Sequence, residues 1–365
     1  MGIKNFKQFL KSYAPNATKT ENLSQFKGKR LAVDGHNWMY KYMATSLKHV
    51  VDSTDITINE VSRSEVFDLW IRTLSKYLIN LVDIGVTPIF VIDGPPLKQK
   101  VDNVHVKRKG DFERRRERLK EINEKLEGLN PLLMSKSLID EKKKILKTFC
   151  APTKDEIQDL FEILSTMGIP CIKAANEAER LCTSLCIEGI AAGVISSDTD
   201  NLTFGCPVLI TKTGTPYSTI QKKDCEITII RLEEVLTESK LSFKTFIDLC
   251  IMCGCDYNNN IKGIGVKKSY VKLVDCKKIE NLPSTWKIDC LNHETCRSIF
   301  RHSPSLHLLD VGQSLITDIN IESVNKEEKI QILQKHHVNM LYEEYLHILK
   351  NAQTPTNTPP TIVYN

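Results

Sequence analysis

A chain of 365 residues, 41% hydrophobic and 26% charged, can bury a sizeable core in one large domain or two modest ones. The formal net charge of +5 leans only slightly toward an acidic partner, and no run of roughly 18 apolar residues is present, so no membrane span is expected. The opening MGIKNFKQFLKSYAP lacks the apolar stretch of a secretory signal, and Phe6 stands where a myristoylation pattern needs Ser or Thr, so an intracellular protein is expected.

In chain order, short apolar runs predict strands at 30–34 (RLAVD), 87–93 (TPIFVID), 170–174 (PCIKA), 192–198 (AGVISSD) and 206–212 (CPVLITK). Helical periodicity covers 66–82 and 154–167. Strands alternating with helices predict an α/β fold with a mostly parallel sheet covered on both faces. Between the second and third strands, residues 98–149 carry sixteen Lys or Arg against nine Asp or Glu, which leaves the rest of the chain two charges negative. Leu119, Ile122 and Leu126 recur there at helical spacing, so the segment reads as a basic helical insertion; a merely solvated charged helix is the plainer alternative. Twelve cysteines in a chain without a signal peptide are expected as free thiols. Cys250, Cys253 and Cys255, with Cys290, His293 and Cys296, could build a zinc site, but the first three lie in an apolar run where cysteine behaves as a core residue. The end, NAQTPTNTPPTIVYN, is expected to be a flexible tail.

Three of the predicted strands end in aspartate: Asp34, Asp93 and Asp198. Asp is common there as a turn or capping residue. In open α/β sheets, however, ligands bind beyond the carboxyl ends of the strands, where these acids would converge. The segment ANEAERLC adds Glu177 and Glu179, SSDTDNLTFG adds Asp200, and GCDY adds Asp256. Crowded carboxylates repel one another unless cations are present, and hard divalent ions take oxygen ligands. Two such ions about 3.5–4 Å apart are the arrangement that cleaves phosphodiesters without a Ser or His nucleophile. Seven acids among forty-five could be ordinary surface charges; the paired E-x-E and D-x-D beside apolar runs favour the metal site. Further on, NNIKGIGVKKSYVKLVD has the form of a helix-hairpin-helix turn: Gly263 and Gly265 admit a phosphate to the backbone, and Lys267 and Lys268 open an amphipathic helix.

The blocks MGIKNF, LAVDGHNWMY, FVIDGPP, MGIPCIKAANEAERLC, SSDTDNLTFGCPVL and DLCIMCGCDYNNNIKGIGVKK, in this order from Met1 to about residue 275, resemble those of the flap endonucleases. These are 5′ structure-specific nucleases related to the xeroderma pigmentosum group G protein. The resemblance implies a PIN-like fold with a central mixed sheet, a helical arch at 98–150 and a helix-hairpin-helix element. It implies that Asp34, Asp93, Glu177, Glu179, Asp198, Asp200 and Asp256 are metal ligands. Glu177, Glu179 and Asp93 would lean toward one Mg²⁺ (or Mn²⁺), Asp200 and Asp256 toward the other, with Asp198 between them. Asp200 is also implied as catalytic, and Glu177 and Asp256 as lying against the DNA. Tyr40 matches an aromatic that stacks on a base near the cut. Lys98 and Arg108 match a basic pair at the scissile phosphate, although one extra residue between Asp93 and Lys107 leaves Lys100 as the alternative to Lys98. Gly2 and Gly254 match backbone contacts to DNA, and the Gly263–Gly265 turn matches a K⁺-associated duplex-binding motif.

The expected division is therefore 1–97 and 151–275 for the nuclease domain, 98–150 for the arch, 276–350 for a helical C-terminal part and 351–365 for the tail. The expected activity is 5′ flap endonuclease, with 5′ exonuclease activity allowed, on branched DNA in replication, repair or recombination. Rival expectations are an RNA-cleaving PIN-type nuclease and a catalytically inactive junction-binding protein. The sliding-clamp motif and basic tail usual in cellular members are not found, so clamp binding is not expected, and a monomer is. A nuclear location is expected for a cellular protein; for a viral one the host compartment is open.

Overall fold

The structure is a computed structural model and describes residues 2–213, 225–301, 343 and 345–348. Seven strands form one sheet: β1 (Thr18–Asn22), β2 (Arg30–Asp34), β3 (Thr87–Ile92), β4 (Cys171–Lys173), β5 (Val194–Ile195), β6 (Val208–Thr213) and β7 (Glu226–Arg231). Their order is β1-β7-β6-β5-β2-β3-β4. Strands β6, β5, β2, β3 and β4 run parallel, while β7 pairs antiparallel with both β6 and β1. All five predicted strands are present, within two or three residues at their ends. The edge pair β1 and β7 was not predicted. The sequence of β1, TKTEN, has no apolar face; it is held by backbone pairing to β7 and by the Arg231–Glu21 ion pair.

Alternation along the strands sends side chains to two cores. Ala32, Ile89, Val91, Val194, Leu209 and Ile230 face one side, where they meet helices α1 (Phe6–Tyr13), α8 (Ala178–Ile187), α10 (Leu232–Ser239), α11 (Phe243–Cys253), α12 (Val266–Cys276) and α13 (His293–Arg301). Leu31, Val33, Phe90, Ile92, Ile195 and Ile229 face the other, against α2 (Gly35–Ser53), α3 (Arg63–Ile84), α7 (Lys154–Thr166) and Tyr345. The short helix α9 (Asp200–Thr203) follows β5. Cys250, Cys253, Cys255 and Cys296 are all packed in the first core, whereas Cys290 is exposed, and among the described residues no three of these side chains gather around a metal-sized point. Each of the twelve cysteines is a free thiol. Among the described residues no helix is long and apolar enough to cross a membrane.

The basic segment folds as α4 (Lys98–Lys100), one turn of π-helix at Val101–His105, the long α5 (Val106–Leu126), and α6 (Lys136–Leu146). Ile122 and Leu126 bury against Ile145 in a small third core, and Arg118 grips Glu141 with two bonds of 2.8 and 2.9 Å. Arg63 at the start of α3 clamps its base, donating to Glu156 at 2.7 and 2.6 Å and to the Ala151 carbonyl at 3.0 Å. Apart from 343 and 345–348, the expected helical part beyond residue 301 and the tail at 351–365 lie outside the described residues.

Because this third core stands apart from the other two, Ile122→Ala should cost about 2–4 kcal/mol within the insertion alone. Hydrogen exchange is the check: protection should fall across α5 and α6 while β2 and β3 keep theirs.

Candidate metal centre and nucleic-acid interface

The chain leaves β2 toward β3 and β4 on one side, then returns to β5, β6 and β7 on the other, so the strand order reverses between β2 and β5. Ligands of doubly wound sheets bind at the carboxyl edge of such a point. There the fold brings together the candidate acids. Asp34 ends β2, Asp93 follows β3, Glu177 and Glu179 open α8 after β4, and Asp198 and Asp200 follow β5. Asp256 reaches the same place from the loop after α11.

Neutral partners fix most of these carboxylates. Asp34 caps α2, its Oδ1 accepting from the Asn37 amide at 3.1 Å, and its Oδ2 accepts from Ser196 Oγ at 2.6 Å. It is thus both a helix cap and a member of the cluster. Asp93 Oδ1 accepts from the Ala178 amide at 2.7 Å. Asp198 Oδ1 accepts from the Asp200 amide at 3.1 Å. Glu177 is the N-cap of α8 but makes no capping bond; its Oε2 accepts from Lys100 Nζ at 2.5 Å and Tyr257 OH at 3.0 Å. Two oxygens, Glu179 Oε2 and Asp200 Oδ1, are buried with no hydrogen-bond partner.

Burial is the main force on the protons here. It raises Asp34 to about 7, opposed by the bonds from Ser196 and Asn37 and reinforced by Asp93 and Asp198. Burial likewise raises Glu179, Asp200 and Asp198; Asp34 adds to the first, Asp198 to the second and Asp256 to the last. Lys100 is the counter-charge. Burial alone would lower it, but Glu179 and Glu177 outweigh that and hold it above its ordinary value. Its Nζ also lies 3.8 Å from Asp256.

Asp34, Asp93, Glu177, Glu179, Asp198 and Lys100 line a pocket of about 440 Å³ with His36, Tyr40, Asn176, His105 and Arg108 on its walls. His36 is pulled below its ordinary pKa, chiefly by burial. Lys98 is exposed and does not line the pocket, whereas Lys100 stands among the carboxylates. Gly2 takes φ +98°, and a Cβ there would sit 2.4 Å from Asp198 Oδ1, so only glycine brings the N-terminal segment this close to the acids. Gly254, at φ +91°, ends α11, and its carbonyl accepts from the Lys4 amide at 3.1 Å. The Gly263–Gly265 turn connects α11 to α12, Gly265 caps α12, and Lys267 and Lys268 are exposed at its start. Asn258 braces this loop, donating to the carbonyls of Ile251 and Leu291, both at 2.9 Å.

The donor set suits a hard divalent cation: seven carboxylates, two with orphaned buried oxygens, around an ammonium that already occupies cationic space. Among the described residues, no three His, Cys, Asp or Glu side chains are yet closed around one metal-sized point.

Models of the XPG N-terminal domain and the XPG I-region match residues 1–118 and 168–256. Flap endonuclease 1 of Heterostelium pallidum is 31% identical over 334 residues, covering 89% of this chain and 80% of that protein. The chain belongs to the flap endonuclease–XPG family. Flap endonuclease 1 of Cryptosporidium muris is 33% identical over 290 residues, 77% of this chain; the chain spans only a little over half that relative, 57%. In fold, the family member flap endonuclease-1 of Methanococcus jannaschii superposes with a TM-score of 0.60 at 24% identity, over 95% of this chain and 99% of that one.

Sequence inspection within the family blocks did not single out Ser196, Tyr257, Asn37 or His36. Their neutral side chains matter only through what they touch, and SSD, CDY and DGHN were the only traces. If like-charge crowding is the main strain, Asp200→Asn should raise the metal-free unfolding midpoint by roughly 2–4 °C and blunt the further rise on adding Mg²⁺. Differential scanning calorimetry in EDTA and in Mg²⁺ would decide it; a lower midpoint in EDTA would refute the strain account.

Proposed function

We propose that the chain is a divalent-cation-dependent, structure-specific nuclease that hydrolyses branched DNA near the base of a 5′ flap. The observation carrying this reading is the convergence of the seven acids at the carboxyl edge of β5, β2, β3 and β4, beside a pocket walled by Tyr40, Lys100 and Arg108. Kinship to flap endonucleases supports the substrate class.

Asp93, Glu177 and Glu179 would hold one Mg²⁺ and Asp200 and Asp256 the other, with Asp198 between them and Asp34 as a further ligand; Mn²⁺ could replace either. Two such ions supply an activated water and neutralise the leaving oxygen. The remaining work falls to side chains. Lys100, whose Nζ already stands among these acids, would offer its ammonium to the phosphate. Arg108 adds a second positive group on the same wall, aimed at charge that grows in the transition state. Tyr40 offers a ring on which a base next to the cut can stack. The amides at the start of α12 and the Gly263–Gly265 turn suit a duplex phosphate, with K⁺ as the associated ion. In this reading 1–97 and 151–275 form the nuclease body and 98–150 the arch, the protein acts as a monomer, and it works where DNA is replicated or repaired, in the nucleus or a viral host.

Cleavage of labelled double-flap DNA with Mg²⁺ tests this. A cut at the flap base, lost in EDTA and at least about 10³-fold slower in Asp200→Ala, is expected; Lys100→Ala and Arg108→Ala should each cost about 10²-fold. Tight binding without cutting would point to a junction-binding protein, and preference for structured RNA to an RNA nuclease. Separately, Lys267→Ala should weaken binding of plain duplex and reduce the log–log salt slope by about 1, read by fluorescence anisotropy across a salt series.

A further inference from the structure

His36, an aromatic nitrogen base beside the acids, has no part in the scheme above. His36 lies in the first turn of α2, one turn before Tyr40, and the two rings pack with centroids 5.0 Å apart. Its Nδ1 faces Asp93 Oδ2 at 3.5 Å. The place of the imidazole is set from several directions. Asp34 caps the helix beneath it through the Asn37 amide. Asn37 Oδ1 accepts from Ser197 Oγ at 2.9 Å, tying the same turn to the loop after β5. Asp93 is likewise half fixed, because its other oxygen accepts from the Ala178 amide at 2.7 Å. A carboxylate with one oxygen fixed can still rotate the other out of the pocket unless a donor restrains it. Nδ1 of His36 is the donor in reach.

We propose that His36 is a positioning residue of the metal centre: its Nδ1–H holds Asp93 Oδ2 so that the carboxylate presents its remaining lone pairs to a divalent ion, while its ring buttresses Tyr40. The inference rests on the metal-centre reading above. Metal ligands are commonly oriented by an outer hydrogen-bond partner, and loss of that partner typically weakens metal binding about 10- to 100-fold. The contact here is long and the imidazole one-third exposed, so the low end of that range applies.

The test is Mn²⁺ binding by the full-length protein without DNA, followed by electron paramagnetic resonance of free Mn²⁺, for wild type, Asp93→Ala, His36→Phe and His36→Asn. Phenylalanine keeps the ring against Tyr40 but has no donor, whereas the Asn amide can put a donor near the Nδ1 position. His36→Phe is expected to bind Mn²⁺ about tenfold more weakly and His36→Asn to recover most of the loss. His36→Ala, with neither ring nor donor, is the substitute should the Phe protein fail to fold, and should show the same weakening. If Asp93→Ala loses affinity but the Phe and Ala proteins bind as wild type does, the positioning role is overturned and the metal centre stands. Equal loss in the Phe and Asn proteins also overturns it, because the donor would then be irrelevant. If Asp93→Ala itself binds like wild type, the metal-centre reading fails, and this inference with it.

Discussion

Like charges gathered at one edge of a sheet impose the condition on which the rest of this molecule depends. Four parallel strands end side by side, and their connections deliver six acids there, with a seventh from the loop after α11. At an effective dielectric of about 20, two charges about 4 Å apart repel by about 4 kcal/mol, and withdrawal from water adds several kcal/mol per ion. The fold carries this load by three devices. Amides and hydroxyls hold individual oxygens, as Asn37 and Ser196 do for Asp34. Burial raises several carboxyls, which favours their neutral form. Lys100 lends the cluster one positive charge from the basic segment. None of the three removes the repulsion, and two buried oxygens still lack partners.

That incompleteness separates a functional centre from a structural ion network. The cluster of Arg297, Asp248 and Glu280 shows the contrast: Asp248 receives two bonds of 2.6 Å from the guanidinium and one from the Ile279 amide at 3.1 Å, and Glu280 is held well below the usual carboxylate range by the same arginine. There both carboxylates take hydrogen bonds from a guanidinium within the protein. At the strand edge charge and donors do not balance without a further cation. Strongly raised carboxyls at a pocket mark functional sites in general, since selection for stability alone would neutralise them.

Much of this was legible in the sequence because it was written in runs. The strands β2 and β3 are continuous apolar stretches ending in Asp, and the insertion carries Leu119, Ile122 and Leu126 at helical spacing; two of those three close the small third core. The acids could be found because each stands next to such a run. What stayed hidden depends on contacts between distant segments. Strand β1 is polar throughout and exists through its pairing with β7. Ser196, Asn37, Tyr257 and His36 are uncharged residues whose roles come from what they touch across the fold. The choice between Lys98 and Lys100 needed the path of the chain after Asp93: which side of the short α4 faces the acids depends on contacts that spacing along the sequence does not record.

The distribution of charge also orders the events the site can support. Most basic residues lie outside the acidic centre, along the insertion and at the start of α12, while the centre itself is negative apart from Lys100 and Arg108 on its wall. A polyanion is therefore attracted at the periphery and repelled at the core. Duplex held near α12 would gain its affinity far from the reacting bond, through contacts indifferent to sequence. The phosphate to be cut could enter only once cations outweigh the acids and Lys100 is no longer engaged by Glu177. Binding energy collected at a distance would then be used to bring an unfavourable group into place, so that stabilisation falls on the reacting state more than on the bound one. Were the chain to act on branched DNA as proposed, a substrate that engages both the α12 surface and the basic insertion would offset the repulsion at the centre better than plain duplex or a free single strand.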